Sequence, residues 1–118
     1  MLTEENRKDI LDTLLQTIKA ISDEEYHRRA WIRGELPGTD FDEIVNIYSC
    51  GAEGILEHYK DFKITEDQFK ILKKFDKKFT DFYEDNDWPH KFLDTPEWAE
   101  VVNLAKEVII AFNYKPNN

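Results

Sequence analysis

Residues 65–82 read TEDQFKILKKFDKKFTDF, and this stretch decides the fold class. It opens with a capping box, in which Thr65 is the N-cap and the side chain of Gln68 can reach back to the N-cap amide. Apolar side chains then recur every three or four residues, which is the period of an α-helix. These apolar positions are Phe69, Leu72, Phe75, Phe79 and Phe82. Lysines fill the other faces, so the stretch predicts an amphipathic helix with a nearly all-phenylalanine seam in the core.

Similar start signals predict helices along the rest of the chain. The expected N-caps are Thr3, Ser22, Thr39 and Thr95, the last followed by Pro96 at the first helical position. The first helix is expected from Glu4 to about Ala20, and the second is expected to stop at Gly34 and Pro37-Gly38. Strand-type alternation is absent from the sequence. We therefore expect an all-α fold, a compact bundle of about five helices that forms a single domain over residues 1–118.

The apolar positions of the third helix run from Phe41 to Phe62, with Gly51 and Gly54 inside the run. Glycine lowers helix propensity and often marks a kink or the close approach of another helix. The sequence therefore leaves open whether this segment is one helix or two.

The composition is that of a folded, acidic protein. Hydrophobic residues make up 41% and aromatic residues 14% of the 118 residues, which is enough apolar volume for a core. The single cysteine, Cys50, excludes an internal disulfide and fits a reducing compartment. The acidic start of the chain lacks the basic and apolar regions of a signal peptide, so we expect a cytoplasmic protein.

Catalytic and metal-binding motifs are not evident in the sequence. The three histidines, His27, His58 and His90, lie on different predicted segments, and none has a second ligand at helical spacing. Cys50 is expected to be a buried, inert thiol. We therefore expect no catalytic residue, metal or cofactor. The alternative is a helical enzyme or ligand-binding protein with an inter-helix pocket that uses His27 or His58 as acid or base.

The net charge indicates which classes of partner the protein attracts or repels. With 25 acidic residues against 16 Lys and Arg, the chain carries −9 and on average repels phosphate backbones and anionic lipids. Residues 63–78 hold six lysines against three acids, but the aromatic residues there belong to the core seam. A solvated helix face explains these lysines better than nucleic-acid binding does. We expect neither direct nucleic-acid binding nor membrane binding.

Acidic residues concentrate in two segments. Residues 34–57 contain six acids and no Lys or Arg, and residues 81–100 contain seven acids and one lysine. The second segment is also rich in aromatic residues, and aromatic anchors among steering carboxylates are typical of protein-binding surfaces. Helix capping explains several acids of the first segment. The candidate partner-binding residues are therefore Asp81, Glu84, Asp85, Asp87 and Trp88, and, second, Asp40, Asp42 and Glu43.

Residues 26–43, YHRRAWIRGELPGTDFDE, together with the size, charge and helical content, resemble small acidic immunity proteins of bacterial polymorphic toxin systems, including contact-dependent growth inhibition. The resemblance implies a cytoplasmic, non-enzymatic protein that binds one cognate toxin domain, often a cationic nuclease, and occludes its active site. Because a nuclease must attract phosphate, its inhibitor gains from presenting carboxylates in place of the substrate. Another alternative is a structural or regulatory adaptor whose acidic loops have no nuclease target.

Overall fold

The computed structural model describes residues 3–33, 41–85 and 93–114, without the side chains of Ala30 and Asp85. All regular structure in these ranges is helical, as the sequence predicts. The α-helices are α1 (Glu4–Ile21), α2 (Glu24–His27), α3 (Phe41–Glu57), α4 (Glu66–Asp85) and α5 (Pro96–Ala111), with a π-helical turn (Arg28–Ile32) after α2. None of the helices in the described ranges is long and apolar enough to cross a membrane.

The four long helices form a closed ring in which α1, α3, α4 and α5 each pack on two neighbours. Helices α3 and α4 are antiparallel. The ring of Phe41, the first residue of α3, lies 6.5 Å from the ring of Phe79 in α4, while Tyr59, just beyond α3, stacks on Phe69 near the start of α4 at 3.9 Å. Helices α4 and α5 are also antiparallel, because Gln68 Nε2 donates to the carbonyl oxygen of Ala111 at 3.2 Å.

Aromatic rings close one end of the bundle. Trp98 in the first turn of α5 packs on Phe41, Phe82 and Trp31 at centroid distances of 6.1, 5.2 and 5.9 Å. Phe41 begins α3, Phe82 is near the end of α4, and Trp31 belongs to the π-helical turn. We call this the aromatic end. It brings together the start of α3, the end of α4 and the start of α5.

Three of the expected caps are confirmed. The Thr3 hydroxyl accepts from the Asn6 amide at 3.0 Å, and Thr95 accepts from the Trp98 amide at 3.3 Å with Pro96 in the first turn. Thr65 and Gln68 form both bonds of a capping box: the Gln68 amide donates to the Thr65 hydroxyl at 3.1 Å, and the Thr65 amide donates to Gln68 Oε1 at 3.0 Å. Thr39 lies outside the described residues.

The predicted cap at Ser22 is wrong. Helix α1 extends to Ile21, and Ser22 is its C-terminal cap, with a helical backbone and a hydroxyl that donates to the Lys19 carbonyl at 2.6 Å. An N-cap needs an extended backbone, and Asp23 has one. The Asp23 carboxylate accepts from the Tyr26 amide at 3.1 Å. The two helices are therefore joined more tightly than the sequence suggests.

Helix α3 is continuous, which answers the question that Gly51 and Gly54 leave open. A Cβ atom at Gly51 would lie 3.6 Å from Ile10 Cγ2, and one at Gly54 would meet nothing within 4 Å. The helix ends at Glu57, before the apolar run ends at Phe62. Residues 58–63 form turns, and Lys63 adopts a left-handed backbone with φ of 60° before α4 begins.

The phenylalanine seam of α4 lies in the core, as predicted. Phe75 and Phe79 are fully buried, Leu72 and Phe82 are buried, and Phe69 is half-buried. The rings of Phe75 and Phe79 stack at 5.5 Å, and both pack edge-on against Tyr48 of α3. Burying rings of this size contributes a large part of the stability of a small domain.

Candidate protein-binding site

His27, a candidate acid or base, is buried and lines a small pocket of about 170 Å³ between α2 and the start of α5. Its ring is 1% exposed, stacks on Trp31 at 4.4 Å and lies 2.9 Å through Nε2 from the carbonyl oxygen of Ala20. Burial lowers the pKa of His27 from 6.5 to about 4, against backbone hydrogen bonds that favour the charged form. The imidazole is therefore neutral at pH 7 and is a weaker base than an exposed histidine.

The other chemically reactive side chains of the described ranges are dispersed. His58 is exposed, with Nδ1 4.0 Å from the Asp61 carboxylate. Cys50 is exposed on α3, so the expectation of a buried thiol is wrong. It lies on the outer part of a helix whose inner face is occupied by larger apolar residues. No group of three or more His, Cys, Asp or Glu in the described ranges could hold a metal ion. His90 lies outside these ranges.

Residues from both acidic segments meet at the aromatic end. Asp42 and Glu43 lie in the first turn of α3, and Glu84 lies in the last turn of α4. All three side chains are exposed. The antiparallel packing of α3 and α4 therefore brings together candidate residues that are far apart in the sequence.

Asp81, another candidate, lies beside lysines. Its carboxylate is 3.6 Å from Lys77 Nζ, one helical turn earlier. Both side chains line a groove between α4 and α5 that also contains Lys74, Lys78 and Lys106. The negative charge of Asp81 is partly offset there, so it attracts a basic partner less than an isolated carboxylate does.

The structure does not describe the side chains of four other candidates. Asp40, Asp87 and Trp88 lie outside the described residues. Asp85 is the last residue of α4, and its side chain is not described. The sequence places the end of this helix in the acidic run 84–87, and the helix extends through its first two residues.

A second groove lies between α3 and α4, and we call it the α3/α4 groove. Its volume is about 410 Å³. Its lining residues are Tyr48, Ser49, Ala52, Glu53, Leu56 and Glu57 from α3, and Phe69, Lys73, Asp76, Thr80 and Tyr83 from α4. Leu56, Phe69 and Tyr83 are half-buried and contribute an apolar floor. The groove therefore combines apolar surface with three carboxylates and one lysine.

The α3 wall of this groove is uniformly acidic or neutral. Asp42, Asn46, Ser49, Glu53 and Glu57 recur at intervals of three or four residues, so they share one helical face, and all are exposed. Helix α3 contains no Lys or Arg. Within the described part of the chain, neither Glu53 nor Glu57 has a cation at ion-pair distance. This wall therefore presents negative charge that no described residue neutralises through an ion pair.

A part-buried hydrogen bond links the two walls. The Tyr48 hydroxyl, in a residue that is 1% exposed, donates to Asp76 Oδ1 at 2.5 Å. Burial raises the pKa of the Tyr48 phenol, and the Asp76 carboxylate raises it further, so the phenol keeps its proton at any physiological pH. On the α4 wall, Lys73 Nζ lies 5.8 Å from the centre of the Phe69 ring. The α4 wall is therefore of mixed charge, in contrast to the α3 wall.

The sequence contains both glutamates of this groove but does not single them out. Glu53 and Glu57 belong to the acidic segment 34–57, where the first-turn acids of α3 attract attention because they fit helix capping. The signal that could have found them is their spacing of four residues on one helix face. Their proximity to Asp76 depends on which helices are neighbours.

No protein-family model, curated protein or solved structure matches the chain. An apolar floor, two glutamates that form no ion pair with a described residue and a nearby acidic helix end can bind a cationic protein surface. The described residues of this groove include no histidine or cysteine.

Proposed function

We propose that this protein is a cytoplasmic immunity protein, which binds a cognate cationic toxin domain, a nuclease, and occludes its active site. The observation that carries the proposal is the α3/α4 groove, where Glu53 and Glu57 lie beside an apolar floor without a cation at ion-pair distance among the described residues. Unpaired carboxylates attract a cationic surface at long range, and the floor supplies apolar area that becomes buried on contact.

The acids at the aromatic end extend this surface. Asp42 lies on the same helical face as Glu53 and Glu57, and Glu84 lies one turn beyond Thr80 on the α4 wall. A nuclease site must present positive charge to hold a phosphate backbone. A row of carboxylates can occupy such a site in place of the substrate without being cleaved. Asp40, Asp85, Asp87 and Trp88 stay candidates for the same interface.

The test uses any candidate toxin domain encoded by a gene next to that of this protein. We expect the wild-type protein to inhibit the nuclease activity of that domain, and to bind it more slowly as salt rises from low to physiological ionic strength. The variant Glu53→Lys/Glu57→Lys should weaken binding by about tenfold or more. Kinetics of association and dissociation at two salt concentrations measure both effects.

A matched variant controls for net charge. Asp9 and Asp12 are exposed on α1, away from the α3/α4 groove, and Asp9→Lys/Asp12→Lys changes the net charge by the same amount. This control should bind the toxin domain within about twofold of wild type. Circular dichroism should show that both variants are folded. Failure of the wild-type protein to bind the product of any neighbouring gene would contradict the immunity function itself.

A further inference from the structure

The dimensions of the α3/α4 groove limit what can occupy it. Its volume of about 410 Å³ accommodates a row of side chains, whereas an α-helix with its side chains is about 10 Å across. Along α3 the lining extends from Tyr48 to Glu57, which is about 14 Å at a rise of 1.5 Å per residue. The groove therefore has room for the side chains on one face of a folded partner segment, over a length of two to three helical turns.

The walls favour a helical occupant over an extended one. Both walls are α-helices, whose backbone N–H and C=O groups are already bonded within each helix. An extended segment would bring its own backbone polar groups against the apolar floor without partners, which costs free energy. A helix satisfies these groups internally and can present an apolar stripe to Leu56, Phe69 and Tyr83.

The charges on the two walls set the charge pattern of that helix. Glu53 and Glu57 are one turn apart on the α3 edge, so basic side chains four residues apart on the occupant can face both of them. On the α4 edge, Lys73 disfavours a cation beside it, and Asp76 already accepts a bond from Tyr48. The complementary helix is therefore basic on one edge only.

We propose that the α3/α4 groove binds one face of an amphipathic α-helix of the partner protein, with an apolar stripe on the groove floor and basic residues along the α3 edge. The identity of the partner as a toxin rests on the proposed function. The mode of docking rests on the groove alone and can be tested without the toxin.

The probe is a fluorescently labelled synthetic peptide of about 16 residues, long enough to form a helix in part, with leucines at helical spacing and arginines every four residues on one edge. We expect it to bind the wild-type protein and to gain helical circular dichroism on binding. Glu53→Lys/Glu57→Lys should weaken its binding by about tenfold, and Asp9→Lys/Asp12→Lys by no more than about twofold. The same peptide with a central proline, which breaks the helix, should not bind.

Several results would overturn helix docking: no binding of the peptide to wild type, equal weakening by the two double variants, or equal binding of the proline peptide. If the toxin domain is inhibited by the wild-type protein while the peptide does not bind, helix docking is wrong and the immunity function stands. If the peptide binds as expected and no toxin domain does, helix docking stands and the immunity function is wrong.

Discussion

Helix α4 separates two grooves that differ in how far their charged side chains form ion pairs. The α4/α5 groove, about 760 Å³, is lined by Lys74, Lys77, Lys78 and Lys106 and by the acids Asp81, Glu100 and Glu107. Lys78 forms an ion pair with Glu100 across this groove, and Lys77 lies near Asp81. On the other side of α4, Glu53 and Glu57 stand without a cation at ion-pair distance in the described part of the chain.

The difference shows why the number of charges alone does not identify a binding surface. Charges that are already paired within the molecule gain little from a partner, and exposed ion pairs contribute little to stability. Unpaired like charges beside an apolar floor repel one another in the free protein, and a cationic partner relieves this repulsion on binding. The larger groove, with four lysines against three acids, is therefore the weaker candidate for binding a cationic partner.

The largest expected effect concerns the core beneath both grooves. Phe79 packs on Tyr48 at 5.0 Å and on Tyr83 at 5.1 Å, so it supports residues of the α3/α4 groove from below. Phe79→Ala should lower the free energy of unfolding by about 3–5 kcal/mol, because it removes a fully buried ring and leaves a cavity. Chemical denaturation followed by circular dichroism measures this loss.

Phe75→Ala should behave in the same way. Ile110→Ala is the control, since Ile110 is 78% exposed and its loss should change the unfolding free energy by less than about 0.5 kcal/mol. Losses below about 1 kcal/mol for both phenylalanine variants would mean that the seam faces solvent.

A smaller effect is expected at the hydrogen bond between the walls of the α3/α4 groove. Tyr48→Phe removes the hydroxyl that donates to Asp76 and should lower the free energy of unfolding by about 1–2 kcal/mol, because the donor is buried and the bond joins two helices. The measurement is the same denaturation experiment. Tyr59→Phe is the matched control for Tyr48→Phe, since Tyr59 donates to Glu66 at 2.6 Å at the exposed surface. The denaturation midpoint of this control should not change measurably. Equal losses of unfolding free energy in the two variants would mean that the Tyr48–Asp76 hydrogen bond contributes no more than an exposed one.

The smallest effect is a gain in stability. Gly54 lies inside α3, and a Cβ atom there would meet nothing within 4 Å. Gly54→Ala should therefore raise the free energy of unfolding by about 0.5–1 kcal/mol, through the higher helix propensity of alanine and the lower entropy of the unfolded chain. A shift of the thermal midpoint to higher temperature would be the readout. A destabilised variant would mean that this position needs glycine.

Local signals in the sequence predicted most of the helix starts. Thr3, Thr65 with Gln68, and Thr95 with Pro96 act through atoms three or four residues away, so a single sequence contains the information. The same holds for the phenylalanine seam of α4, whose spacing identifies its buried face. The prediction is wrong at Ser22 because Ser22 and Asp23 are both favourable N-cap residues. The choice between them depends on where α1 ends.

Features that depend on helix neighbours could not be predicted in this way. Nothing near Glu53 in the sequence indicates that Asp76 lies across a groove from it. Likewise, the ion pair that offsets the charge of Lys78 comes from Glu100 on another helix. The sequence indicates how much charge each segment carries. The order of helices around the bundle determines which charges are neutralised.

The burial of His27 makes the stability of the fold depend on pH. Its pKa is lowered to about 4 in the folded state, against an ordinary value of 6.5, so the unfolded chain binds a proton more readily than the folded one. The stability that the neutral ring permits is therefore fully present above about pH 6.5 and is lost as pH falls towards 4. Protons act here as ligands of the unfolded chain. The stacked His27 and Trp31 rings consequently make the native state less stable in acid, although neither ring lies in the α3/α4 groove.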